Sequence, residues 1–541
     1  MSTIWSGDLG DDPSAPPIDV DALDAVDALA ARPARGVDEA DPPVRLGRAA
    51  LAALPRDVKV PLYDVDALRT GILHLGCGAF HRAHQALLTQ RAIEAEMSGD
   101  RTATPAPWGI VAASLRSPTV ARALQRQDGL YTVLERGPER TRAEVVGTIR
   151  RTIFAPQAAP VLDQAFTSHE VRIVTLTVTS AGYCVDPSSG RLEAGCSEIQ
   201  HDLRADVPRS AIGLLAKGLG QRRVSGGPPP VVLSCDNMLA NGRVLQQACV
   251  DYASLHDDGL AAWIDSEVQF PATMVDRIVP TSTDADRQFA LRTLGLKDDA
   301  PVSAEPFSQW VIERFDGPRP RWDAAGAEYV GDVAPWEASK LRLLNGGHLA
   351  VAYLGLLARV STVHEALGED GFHDFALRFM IAEQKPTLPA SDHDIDAYAH
   401  QLLDRWCNHG IVHQLQRVGR DGSGKLPTRL LASLKDNLVA GRPAPCTLLA
   451  VAAWMLCATE DDENGDVMIE DEHGDLLRSM RVAAGDNAER WVDAALLSTP
   501  VFGPQLAGDA GVRAALARSI NALQGLGPIG AMKACLDGID H

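Results

Sequence analysis

Near residue 70 the chain offers a strand, a glycine turn and a helix in unbroken succession, and this order constrains the fold more than any other feature. Gly71-Ile72-Leu73-His74-Leu75 is apolar enough for a strand buried on both faces, Gly76-Cys77-Gly78-Ala79-Phe80 turns the chain, and residues 81–94 continue at helical spacing. Such a unit places helix N–H groups where a phosphate can sit. His81 occupies the third glycine position of GxGxxG, so the dinucleotide fingerprint is incomplete. A second apolar strand, Trp108-Gly109-Ile110-Val111-Ala112-Ala113, ends in Ser114-Leu115-Arg116-Ser117. An NAD site usually presents an acid to the ribose 2′-hydroxyl there, and this chain has none. Arg116 with Ser117 suits a 2′-phosphate instead, which keeps NADP open, and the alternative is an ordinary surface arginine.

Strands expected over 172–179 and 231–234, with a helix over 206–219 between them, predict an α/β fold with an open, mostly parallel sheet. Cys235-Asp236-Asn237 follows the last of these strands, at the edge where such sheets bind ligands. Asn237 is therefore a candidate, with a turn-forming role as its alternative. Beyond about residue 300 the pattern turns helical, with candidate helices over 339–357, 365–383, 393–408, 427–438, 448–458 and 511–523. The expected division is a Pro- and Asp-rich leader over 1–45, an α/β domain over 46–300 and a mainly helical domain over 301–541.

Residues 336–358, WEASKLRLLNGGHLAVAYLGLLA, concentrate the polar chemistry. At about 100° per residue, with Lys340 at zero, Glu337 falls near 60°, His348 near 80° and Asn345 near 140°. Leu341 and Leu344 share that side and Arg342 points away, so the face is not an ordinary solvated one. The alternative is a core helix with tolerated polar residues and a kink at Gly346-Gly347. A lysine sheltered among leucines is pushed toward its neutral form and can accept a proton from an alcohol. Asn345 and His348 can then hold the oxygen left behind. Glu337, one turn earlier, relays that proton or simply pairs with Lys340.

The 541 residues are 45% hydrophobic and 23% charged, enough for more than one core, and the net charge of −20 argues against nucleic acid or an anionic membrane as partner. Nine scattered cysteines show no zinc spacing and fit a reducing cytoplasm. The start of the chain lacks the pattern of a secretory signal, and the longest apolar run, 446–458, is too short to span a bilayer.

Several blocks carry a family resemblance: HLGCGAFHRAHQA (74–86), QDGLYTVLERG (127–137), SCDNMLANG (234–242), FPATMVDRIVP (270–280), EPFSQWVIE (305–313), KLRLLNGGH (340–348) and DGSGKLP (421–427). In this order they resemble the mannitol dehydrogenase family of polyol-specific long-chain dehydrogenases, from about residue 46 to the end. The resemblance implies a Rossmann-type N-terminal domain, a helical C-terminal domain and a zinc-independent enzyme using NAD, with NADP open. It implies that Lys340 is the base, that Asn237 and Asn345 stabilise the alkoxide, and that His348 binds substrate. Glu337, Asp276, Arg405 and Lys425 fall near the substrate or proton path, and Gly76, Gly78, Ala79 and Phe80 on the cofactor loop. Ser180 departs from the glutamate many relatives carry.

The expected reaction interconverts a secondary alcohol of a small polyol or sugar acid and its ketone. Mannitol oxidation to fructose leads, and the mannonate–fructuronate pair is the alternative, for which Arg405, His413 or Lys425 would supply a cation. A nucleotide-binding protein without catalysis is the reading of another class, disfavoured by the joint presence of Lys340, Asn237, Asn345 and His348. A cytoplasmic monomer is expected, with no metal.

Overall fold

The apolar runs near residues 70, 110, 175 and 232 do become neighbouring strands. A computed structural model describes residues 44–97, 103–186, 189–462 and 465–538; the expected leader, but for its last two residues, lies outside them. The strands are β1 (Thr70–Leu75), β2 (Gly109–Ser114), β3 (Tyr131–Arg136), β4 (Thr141–Val146), β5 (Ile149–Phe154), β6 (Ile173–Leu176), β7 (Val231–Ser234), β8 (Thr273–Asp276), β9 (Val302–Ala304), β10 (Gln309–Glu313) and β11 (Glu328–Val330).

The main sheet is parallel, in the order β5-β2-β1-β6-β7. Strand order reverses at β1, so a crevice opens between the chain segments leaving β1 and β6, where Rossmann-type sheets take their ligand. Successive residues point to opposite faces: Ile72, Ile110, Ile173 and Leu233 enter one core, while Leu73, Val111, Val174 and Val232 enter the other. Both faces are therefore apolar, as a sheet covered by helices on both sides requires.

β5 escaped the sequence reading because Arg150 and Arg151 interrupt its apolar run, and it lies at the sheet edge where alternation is tolerated. Two smaller sheets were also missed, β4-β3-β9 and β11-β10-β8. Their short strands carry charges whose partners come from distant parts of the chain. Strands β9, β10 and β11 lie beyond residue 300; β9 pairs back onto β3 and β10 onto β8, with β11 added outside β10.

The helices that matter for the site are α1 (Ala79–Ala83), α2 (Gln85–Glu96), α3 (Ala211–Val224), α4 (Asn241–Ser254), α5 (Ala334–Ser339), α6 (Gly346–Leu357) and α7 (Ile395–Trp406), with α8 (Pro445–Cys457) and α9 (Ala510–Asp537) packed together beneath α6. Leu349, Tyr353, Phe375, Phe379 and Trp454 anchor this helical core. Each fully buried side chain of this size contributes about 1.5–3 kcal/mol. Among the described residues no helix is long and apolar enough to cross a membrane.

The even helix expected over 339–357 is not what forms. Between α5 and α6, Lys340–Asn345 is π-helical, and so are Phe379–Gln384 and Pro427–Leu431, both of which pack against it. The i→i+5 bonding of a π segment widens the turn, so a wheel drawn at α-helical spacing misplaces its residues. Gly346 and Gly347 do not kink the chain either; Gly346 has φ −68° and ψ −46°. They are small because the packing is close: a Cβ would lie 2.7 Å from the Arg429 carbonyl oxygen at Gly346 and 2.6 Å from the Trp406 ring at Gly347.

Candidate active site

A cleft of about 630 Å³ opens at the carboxyl ends of β1, β2 and β6, lined by Gly76, Gly78, Ser114, Arg116, Thr179 and Ser210 among others. Gly76 has φ +103°, and a Cβ there would stand 2.1 Å from the Thr177 carbonyl oxygen, so only glycine fits. At Gly78 a Cβ would meet nothing nearer than 3.8 Å, which leaves room above the turn. A narrow glycine turn beneath an open cleft fits a dinucleotide. His81 fills the place of the missing third glycine: its ring is fully buried and stacks on His74 at 3.4 Å, and the helix breaks just after, at His84. The turn is further held by His74 Nε2, 2.9 Å from the Gly76 carbonyl oxygen. Arg116 is exposed on the cleft wall. Ala79 and Phe80 are half-buried at the start of α1, outside the lining, where Phe80 stacks on His84.

A second pocket, of about 200 Å³, is lined by Asn237, Glu337, Lys340, Asn345, Lys425 and Arg429 with their neighbours. Lys340 is only 8% exposed, and its Nζ donates to Asn237 Oδ1 and to the Val275 carbonyl oxygen of β8, both at 2.6 Å. Burial lowers its pKa, and the Asp276 charge opposes that only in part. Asn237 sits on the exposed turn after β7, and its Nδ2 remains available once Oδ1 has accepted from Lys340. The Asn345 amide faces the same pocket and has no partner among the described residues. Glu337 does not pair with Lys340; its carboxylate accepts the Ala240 N–H at 3.0 Å, and burial pushes its pKa up to about 7.

The structure does not bring every expected residue to this pocket. His348 is buried one turn beyond it, beside the Trp406 and His413 rings with centroids 4.9 Å away in each case; its Nε2 has no partner among the described residues, and burial holds it neutral. Arg405 corrects the expectation of a free cation for a substrate carboxylate. Its guanidinium is largely enclosed and clamps Asp276 at 2.7 and 3.1 Å and Glu305 at 2.8 and 3.0 Å, so two carboxylates already absorb its charge. Asp276 is likewise committed to Arg405 rather than offered to the pocket. Lys425 does face the pocket; among the described residues its Nζ bonds only the Val418 and Arg420 carbonyl oxygens.

Three contributors escaped the sequence reading. Asp236 lines the smaller pocket and bonds the wall of the larger cleft: its carboxylate accepts the Val178 and Thr179 N–H groups at 3.0 and 2.7 Å and the Tyr183 hydroxyl at 2.8 Å. An acid directly after β7, beside Asn237, is the local signal that marks it. Glu305 and Arg429 lie in the quoted block EPFSQWVIE and just past DGSGKLP, and nothing local marks which of their charges face inward. Among the described residues one set of ligand atoms is grouped closely enough for a metal, Cys184, Cys196 and Glu198, within 4.8 Å of one another and beside the first cleft, not around Lys340.

Residues 70–324 match the model of the mannitol dehydrogenase Rossmann domain, and residues 332–524 that of the mannitol dehydrogenase C-terminal domain. The chain is 40% identical to an uncharacterized oxidoreductase, YeiQ, of Escherichia coli, over 84% of this chain and 93% of the relative. It is 39% identical to D-mannonate oxidoreductase of the same organism, over 75% and 84% respectively. Mannitol 2-dehydrogenase of Pseudomonas fluorescens, solved as a ternary complex with NAD and D-mannitol, superposes with a TM-score of 0.76 at 35% identity, over 91% of this chain and all of that one.

Proposed function

This chain belongs to the mannitol dehydrogenase family, and from that premise we propose that it oxidises a secondary alcohol of an acyclic sugar acid or polyol to the ketone, reversibly, with Lys340 as the base. The observation that carries this reading is the buried Lys340 amine, held between Asn237 and the β8 backbone and facing a small pocket at the end of the main sheet.

The nicotinamide cofactor, NAD or NADP, would lie on Gly76 and Gly78 and accept the hydride; the chain supplies the rest. Burial lowers the pKa of the Lys340 amine, which favours the neutral form that takes the hydroxyl proton. Asn237 Nδ2 and the free Asn345 amide donate to the oxygen as its charge develops, and each such donor is worth about 2.7–4 kcal/mol. His348, neutral and packed against Trp406 behind the pocket, would support the pocket wall rather than touch the substrate. Glu337, titrating near neutrality at the pocket rim, would return the Lys340 proton to solvent. No metal enters this scheme. The free cysteines support a reducing, cytoplasmic setting, and a monomer is our working assembly.

Two substrate pairs compete, D-mannitol with D-fructose and D-mannonate with D-fructuronate. Lys425 and Arg429 favour the second: both are half-buried at the pocket and neither forms an ion pair among the described residues. Desolvated cations without a counter-ion are stabilised by an anionic substrate end. The likeness to D-mannonate oxidoreductase agrees with this choice, whereas the complex of the structural relative supports mannitol. The test is cofactor reduction by the purified protein with mannitol, arabinitol, sorbitol and mannonate. Mannonate should give the highest kcat/KM, and Arg429→Gln should lower it for mannonate far more than for mannitol. Equal use of neutral polyols would overturn the substrate choice. Cofactor binding with no turnover of any alcohol would favour a non-catalytic nucleotide-binding protein.

A further inference from the structure

Beside the larger cleft the fold brings together two thiols for which the proposed reaction has no use. Cys184 and Cys196 are twelve positions apart, and their Sγ atoms lie 3.0 Å from each other. That is inside the roughly 3.5–4.0 Å at which even carbon atoms settle. The approach is built by the backbone: Glu193 N–H donates to the Cys184 carbonyl oxygen at 2.7 Å, Cys196 N–H to that of Glu193 at 2.9 Å, and Val185 bridges Leu192. Cys184 adopts a left-handed conformation at φ +50°, a strained position for a side chain with a Cβ. It follows Tyr183, whose hydroxyl is fastened to Ser234 and Asp236.

The two sulfurs are not equivalent. Cys184 is buried in the cleft wall, and burial pushes its thiol well above the ordinary range. Cys196 is half-buried, and its thiol donates to Glu198 Oε2 at 3.1 Å. Glu198 lines the same cleft and also accepts the Ser197 hydroxyl at 2.8 Å. The other close pair, Cys446 and Cys535, is wider at 3.8 Å and lies in the helical part, with Cys446 fully buried and Cys535 half-buried against the core.

We propose that Cys184 and Cys196 form a modification site that closes to a disulfide with hydrogen peroxide, and that this closure opposes cofactor binding in the adjoining cleft. Glu198 takes the proton of the Cys196 thiol. The thiolate attacks one peroxide oxygen and the O–O bond breaks, giving a sulfenic acid and a hydroxide that takes the proton back from Glu198 and leaves as water. The Cys184 sulfur then displaces the sulfenic hydroxyl, forming the S–S bond, and the Cys184 proton departs with that hydroxyl as a second water. Two electrons pass from the thiols to the peroxide, and a dithiol reductant reverses the change. Closure also removes the S–H donor from Glu198. A carboxylate that has lost one hydrogen-bond donor then faces a cofactor whose pyrophosphate is itself anionic, and like charges repel. The second half of the proposal rests on reading this cleft as the cofactor site; the first half does not.

The test uses the full-length reduced protein, exposed to hydrogen peroxide, blocked with iodoacetamide, digested and weighed by mass spectrometry. A peptide pair joined through Cys184 and Cys196, and released by dithiothreitol, is expected, forming more slowly when NADH is saturating. The oxidised protein should bind NADH roughly tenfold more weakly, equivalent to about 1.4 kcal/mol. Cys196→Ser should show neither the cross-link nor the loss under peroxide. Oxidation of Cys196 alone to a sulfinic acid, or a cross-link only between Cys446 and Cys535, overturns the site. A Cys184–Cys196 bond that leaves NADH affinity unchanged overturns the competition. A protein that cross-links yet binds no NADH in either state upholds the thiol pair and refutes the cofactor reading of the cleft.

Discussion

Two neighbours pull the Lys340 amine in opposite directions: Asp276 stabilises its ammonium form, and Arg405, bound to that same Asp276, offsets it. Glu305 takes up the remaining charge of Arg405 from the other side. Replacing Glu305 by Gln keeps an acceptor for the guanidinium but deletes one negative charge, so Lys340 experiences a more positive surrounding. Its ammonium is then harder to form, and its pKa falls further. Because the neutral amine is the active base, the rise of kcat/KM with pH in the alcohol-oxidation direction should move to lower pH in Glu305→Gln. A profile that stays in place or moves upward contradicts this coupling. On the wall of the other cleft, Arg116 is exposed with no acid beside it on the same turn. Arg116→Ala should weaken NADP binding by roughly tenfold or more, as loss of a charge-assisted pair does, and leave NAD nearly unchanged; equal effects on the two cofactors would exclude a 2′-phosphate contact.

The junction of the π-helical segment with α6 shows what a sequence conveys about an element and what it withholds. The identities of Glu337, Lys340 and Asn345 were legible because polar groups on a leucine-rich stretch are costly unless used. Their geometry was not, because a wheel at fixed pitch cannot represent an i→i+5 turn, and the π form is stabilised by two other π segments far along the chain. The wheel therefore grouped His348 with Lys340, whereas the structure sets it behind the pocket against Trp406. Gly346 holds this junction against the backbone of Arg429. Gly346→Ala should cost about 1–3 kcal/mol in urea unfolding, as overpacking does. It should also depress kcat/KM for mannonate through the displaced Arg429, while an unchanged enzyme would show that the close approach is not needed.

Across the whole molecule, the α/β and helical character could be read from strand-length apolar runs and from helical spacing, since each is a local signal. The meeting of the two parts was hidden. It is made by β8, which supplies the Val275 carbonyl oxygen to Lys340 and Asp276 to Arg405 of α7, and by Glu305, just after β9. These contacts join residues 65 to 129 positions apart, beyond the reach of periodicity. The cofactor turn lies on one part and the amine on the other, so the proposed chemistry exists only where they join. The most direct test is the turnover of Lys340→Ala beside its NADH affinity. Loss of a general base, typically about a hundred- to ten-thousandfold, is expected in kcat, with cofactor affinity preserved and partial rescue by small primary amines. A variant that turns over within about twofold of the parent, well outside that range, would contradict the assignment of Lys340 as the base.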